Sequence, residues 1–153
     1  MNGDLKGIHQ YRRLSENIAS AGQPTQAQLK DIAQAGFEVV INLGLSNVDY
    51  SLKDEGLLVE SLGLTYEHLP VAWERPTEED LRRFFDIMAK HEGKRIFIHC
   101  AANKRVSVFM ALHRIMQKGW SREGALDVMH KVWTPNETWQ GFIDNFLSDG
   151  TVS

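Results

Sequence analysis

Apolar residues along the chain follow two alternating rhythms. Phe37-Glu38-Val39-Val40-Ile41-Asn42-Leu43 is β-branched and nearly continuous, the pattern of a strand covered on both faces. Thr65 to Val71 and Arg95 to His99 predict two more strands, and Ile18-Ala19-Ser20-Ala21 predicts a short edge strand ahead of them. Helical spacing fills the intervals. Pro24-Thr25 opens a helix with Leu29, Ile32 and Ala33 on one face, closed by Gly36. A helix covers much of Ser51 to Leu62 and ends at Gly63. Thr77, with Asp80 three residues on, marks a capped helix start, and Leu81, Phe84, Phe85 and Met88 supply its buried stripe. Helices follow at roughly Arg105 to Lys118, Ser121 to Val132 and Asn136 to Leu147, with Trp120, Trp133 and Trp139 expected as packing between them.

Strand and helix alternate throughout, which predicts an α/β fold with a central, mostly parallel sheet flanked by helices. No linker or repeat divides the chain, so residues 1–153 are expected to form a single domain. In such sheets ligands bind beyond the carboxyl ends of the strands. Those ends are Leu43-Gly44, Val71-Ala72-Trp73-Glu74 and Cys100 onward.

Composition narrows the chemistry. With 42% hydrophobic and 24% charged residues the chain reads as a soluble globular protein, and its net charge of −3 argues against non-specific nucleic-acid binding. No apolar run reaches membrane-spanning length and Met1 to Leu5 lacks the core of a signal peptide, so a cytoplasmic location without membrane association is expected. One cysteine makes neither an internal disulfide nor a multi-thiolate metal site, and the histidines show no metal-ligand spacing. That leaves Cys100 to packing or to chemistry.

Its surroundings favour chemistry. Cys100 ends an apolar strand and a helix begins within about five residues, so the turn of Ala101, Ala102, Asn103 and Lys104 points backbone N–H groups into one concavity. Such a nest binds anions and favours thiolate over thiol. Arg105 adds fixed positive charge, and Ser107 could donate a hydrogen bond to the departing sulfur.

The segment Ile96-Phe97-Ile98-His99-Cys100, four further residues, then Arg105, Val106 and Ser107 resembles the signature loop of the protein-tyrosine and dual-specificity phosphatase superfamily. More narrowly, the chain is similar to small bacterial proteins described as candidate phosphatases of unknown function. Ala19 to Thr25, the strand ending Val40-Ile41-Asn42-Leu43, Tyr66 to Val71 and Trp133-Thr134-Pro135-Asn136 carry this likeness, which covers roughly residues 10 to 148. The resemblance implies a dual-specificity-phosphatase-like fold and hydrolysis of a phosphate monoester on a small molecule or a phosphoprotein. Cys100 would attack phosphorus, loop amides from Ala101 to Val106 and Arg105 would hold the phosphoryl oxygens, and no metal or organic cofactor would be needed.

The chain departs from the superfamily pattern in two places. Four residues rather than five separate Cys100 from Arg105, so aligning Ser107 with the family's hydroxyl residue puts Val106 in the arginine position. The loop's central glycine is replaced by Asn103, the residue type that best tolerates positive φ after glycine. The aspartic general acid of related enzymes is also missing, and Glu74, beside the possible pocket wall Trp73, is the nearest carboxylate. Glu78, Glu79 and Asp80 read as helix N-terminal charge. His99 is expected to orient the loop, Asn42 to line the pocket or close a turn, and Gln23 to face the pocket or cap the next helix. Two other readings stand beside the phosphatase: a rhodanese-type sulfurtransferase carrying a Cys100 persulfide, and a phosphate-binding pseudophosphatase.

Overall fold

The computed structural model describes residues 5–147. After a 3-10 turn, Leu5–Gly7, the elements are β1 Arg12–Arg13, β2 Ile18–Ala21, α1 Gln26–Gln34, β3 Val39–Asn42, α2 Glu55–Ser61, β4 Thr65–His68, α3 Glu78–Lys90, β5 Ile96–His99, α4 Lys104–Gln117, α5 Arg122–His130 and α6 Glu137–Leu147. The sheet runs β1-β2-β5-β3-β4, with four parallel strands and β1 antiparallel at one edge. This is the expected α/β fold with a mostly parallel sheet. Ile18–Ala21 is a correction: it pairs with β1 on one side and β5 on the other, and the edge belongs to Arg12–Arg13. Its small side chains suit an inner strand lying close under helices. The charged Arg-Arg pair occupies the edge, where an unpaired ladder is best guarded by charge.

Alternation along the inner strands builds two cores. Val39, Ile41, Ile96 and Ile98 pack on the side of α3, α4 and α6 with Leu81, Phe84, Phe109 and Trp139. Val40 and Phe97 face the other side, toward Leu29 and Ile32 of α1 and Val59 of α2. Both faces are therefore covered, which is why β3 and β5 read as unbroken apolar runs. Thr25 and Thr77 form capping boxes at α1 and α3, and Ser121 caps α5. Gly36 ends the first helical excursion at φ +93°, a conformation open to glycine at little cost. Among the described residues no helix is long and apolar enough to cross a membrane.

The register places the site. Ala21, His99, Asn42 and His68 lie level across the four parallel strands, so the chain segments that follow them rise from one edge. Helix α4 leaves that edge through the middle of the molecule, buried from Arg105 to Arg114. Trp120 is a second correction. It is 42% exposed rather than packed between the last helices, because Gly119 turns the chain outward beyond the end of α4.

Phe84 is fully buried between α3 and α4, edge-on to Phe109. Phe84→Ala is expected to lower unfolding free energy by about 3–5 kcal/mol. Urea denaturation checks this, and a loss under about 1 kcal/mol would show that the two helices do not share this core.

Candidate active site

A helix leaves its first N–H groups without intrahelical partners. At α1, α3 and α5 a threonine or serine side chain takes one of them; at α4 nothing does. The residue before α4, Asn103, adopts φ +66° as the glycine substitution anticipated, and its side chain turns away from the helix. Its Nδ2 donates to Gln10 O at 2.9 Å and to Ser20 Oγ at 3.0 Å. Its Oδ1 is buried without a partner, a cost of about 1–3 kcal/mol that the local turn sustains. The amides of Ala101, Ala102, Lys104, Arg105 and Val106 find no acceptor among the described residues. Gly22 lets β2 approach this loop: a Cβ there would sit 2.5 Å from Ala101 O, while the neighbouring Gln23 N–H donates to that same oxygen.

Ala101, Ala102, Lys104 and Arg105 border a cavity of about 360 Å³ at the carboxyl edge of the sheet. Cys100 and Arg105 meet in it with Ala101, Ala102 and Lys104, between walls from Leu45, Tyr50 and Trp73, and Glu74 stands in the same wall. Arg105 is buried, and its Nη1 and Nη2 donate to Val71 O at 2.8 Å and Tyr50 Oη at 3.1 Å. Both acceptors are uncharged, so its positive charge has no carboxylate partner among the described residues. Lys104 carries its Nζ over the rings of Trp133 and Trp73, at 5.4 and 6.0 Å. Glu74 is exposed and makes no ion pair with Arg75.

Beneath the loop lies a polar layer that sequence reading missed. His99 Nε2 lies 2.6 Å from Glu55 Oε2, and because a carboxylate only accepts, that nitrogen carries the proton. Its Nδ1 lies 3.4 Å from the Cys100 carbonyl oxygen, which places the ring directly beneath the loop. Gln23 Nε2 donates to Glu55 Oε1 at 2.8 Å and to Pro24 O; the helix cap is Thr25 instead. Burial raises the Glu55 pKa, but the hydrogen bond and charge of His99, then Gln23 and His68, outweigh it and leave the group below its ordinary value. Asn42 also serves structure: its Oδ1 accepts from Gly44 N and its Nδ2 donates to Tyr66 Oη. It lines an adjoining polar cavity of about 280 Å³ rather than the Cys100 cavity. Burial, then the Glu55 charge, pushes the Tyr66 hydroxyl up to about 12, against the Asn42 hydrogen bond.

Three expected site residues lie elsewhere. Ser107 donates to Lys104 O at 2.6 Å and accepts from Trp133 Nε1 at 3.0 Å, and it borders a different cavity. Helical geometry turns its hydroxyl back along α4, as is usual for serine within a helix. Val106 is fully buried in the core and does not line the Cys100 cavity, and the Asn103 side chain is spent on Gln10 and Ser20. Tyr50 and Leu45 were not foreseen, since nothing local marks a loop residue that folds onto an arginine 55 positions away. Trp139 was expected as packing, but its Nε1 also donates to Trp73 O at 2.9 Å and holds the segment carrying Glu74.

A parallel sheet with a cysteine loop at the head of a buried helix, with an arginine in the same cavity, defines a phosphatase-like protein of the dual-specificity and protein-tyrosine class. The chain belongs to the family described as DSP-PTPase phosphatase fused to NAD+ kinase, whose profile matches residues 8–141. A candidate phosphatase (DUF442) from Shewanella putrefaciens CN-32 is 31% identical, with a TM-score of 0.84 over 95% of both chains. Tk-PTP in its active form shares the fold, with a TM-score of 0.76 at 20% identity over 92% of this chain and 97% of its own. A beta-lactamase hydrolase-like protein of Agrobacterium fabrum is 30% identical over 103 residues, 65% of this chain. The chain spans about a quarter of the length of that relative.

Because the Glu55 pKa is lowered on folding, its ionised form stabilises the native state above pH 4.5 and that gain fades as pH falls through the native value. Glu55→Gln is therefore expected to cost about 1–3 kcal/mol near pH 7, with the gap to the parent closing below pH 4.5. Denaturation between pH 3 and 7 measures it, and a gap independent of pH would exclude the ion pair with His99.

Proposed function

We propose that the chain hydrolyses phosphate monoesters through a phosphocysteine intermediate. What supports this reading is the convergence of Cys100, Arg105 and the unpartnered amides of Ala101, Ala102, Lys104 and Arg105 on one cavity. A phosphoryl dianion placed there would accept from the loop amides and from the remaining N–H groups of Arg105, whose planar fork suits two oxygens at once. Tyr50 and Val71 hold that fork in place, which limits reorganisation as charge develops in the transition state.

The reaction balances in two steps. The Cys100 thiolate attacks phosphorus as the ester P–O bond breaks, and Glu74, protonated, gives its proton to the leaving oxygen. Glu74, now ionised, takes a proton from water, whose oxygen attacks phosphorus and breaks the S–P bond, releasing inorganic phosphate and the thiolate. Ser107 is engaged with Lys104 and Trp133, so thiolate departure is assigned to the loop amides and not to its hydroxyl. Trp73 and Tyr50 give the cavity an aromatic flank that suits a planar leaving group.

Turnover of p-nitrophenyl phosphate across pH 5–8 tests the reading. Cys100→Ser is expected to abolish it, Glu74→Gln to lower kcat about 10²-fold or more, and Arg105→Ala to weaken orthovanadate inhibition. Cyanide-dependent sulfur transfer from thiosulfate without phosphate release would replace the phosphatase with a sulfurtransferase. Vanadate binding without turnover would replace it with a pseudophosphatase.

A further inference from the structure

The catalytic reading leaves unused a cavity of about 470 Å³ at the far end of α4. Lys6, Arg12, Arg13, Arg114, Lys131 and Trp120 line it, and no aspartate or glutamate does. The chain has 17 basic against 20 acidic residues, so this gathering of cations runs against its overall sign. The cavity shares no lining residue with that of Cys100. Arg114 stands about 14 Å along the helix axis from Arg105.

Uncharged groups hold these side chains in place. Arg12 Nη2 donates to Lys131 O at 2.7 Å, Arg13 Nε to Ser15 O at 3.3 Å and Arg114 Nη2 to Leu14 O at 3.1 Å. None of Arg12, Arg13, Arg114 or Lys131 is in an ion pair among the described residues. Arg114 is only 6% exposed, and burial alone pulls its guanidinium below the ordinary value. A buried cation without a counter-charge is costly, and an anion arriving beside it relieves that cost. The Arg114 guanidinium lies 4.2 Å from the centre of the Trp120 ring, and the half-exposed indole retains surface for a second planar group.

We propose that this cavity binds a nucleoside polyphosphate, its phosphates on Arg12, Arg13 and Lys131 and its base against Trp120. The volume falls within the usual range for small-molecule sites, about 300–1,000 Å³. A concavity suits such a ligand better than it suits a flat lipid surface. Arginine forks match phosphate oxygens, and an indole stacks on any nucleobase. The ligand's net negative charge makes the interaction weaken with added salt.

Calorimetric titration of the full chain with ADP, at low and high salt, tests the proposal. Arg13→Glu combined with Lys131→Glu is expected to weaken ADP binding at least tenfold, with melting temperature and p-nitrophenyl phosphate turnover unchanged. Arg105→Lys is expected to leave ADP binding intact. Trp120→Leu is expected to weaken ADP but not inorganic tripolyphosphate. ADP binding that survives the charge reversal, or that Arg105→Lys removes, would overturn the site. Tripolyphosphate binding as tightly as ADP, or preference for phosphatidylserine vesicles over ADP, would overturn the nucleotide assignment.

Discussion

The left-handed turn at Asn103 governs the site, because it withholds from α4 the cap that its neighbours have. Its side chain is committed to Gln10 and Ser20 on the β1–β2 side, and one buried oxygen is left unpaired. The first-turn amides consequently stay open to the cavity, carrying the positive end of the helix dipole. The same turn seats Arg105 early in α4, where its side chain spans to Val71 and Tyr50. A loop one residue shorter than the superfamily pattern thus still shares its cavity with the arginine.

Around that turn the structure keeps charges apart by function. Glu55 is buried with His99 and Gln23 beneath the loop, where its charge is matched by their hydrogen bonds. Arg105 and Lys104 face the cavity against neutral oxygens and aromatic rings, so their charge remains available to an incoming anion. Glu74 sits apart at the exposed rim, on a segment held by the buried indole of Trp139. Rigid support thus comes from the sheet side and adaptability from the rim.

Much of this was legible in the residues, and the divide follows locality. The cap at Thr77, the continuous strands β3 and β5 and the positive φ of Asn103 depend on neighbours within a few positions, and each emerged as read. Ile18–Ala21 misled because small residues signal neither edge nor interior until β1 supplies a partner. Ser107 misled because alignment to a loop one residue longer ignores the rotation of about 100° that one residue makes in every later side chain of the helix. Glu55 and Tyr50 were invisible because their partners lie 44 and 55 positions away, and a glutamate opening a helix already has a local explanation.

The most direct test is an amide-resolved NMR titration with tungstate, an oxyanion that mimics phosphate without reacting. The account predicts large shifts confined to the amides of Ala101, Ala102, Lys104, Arg105 and Val106 and to the Arg105 side chain, with Asn103 retaining its contacts to β2. Shifts centred on another surface, or none at saturating tungstate, would contradict an oxyanion site at the head of α4.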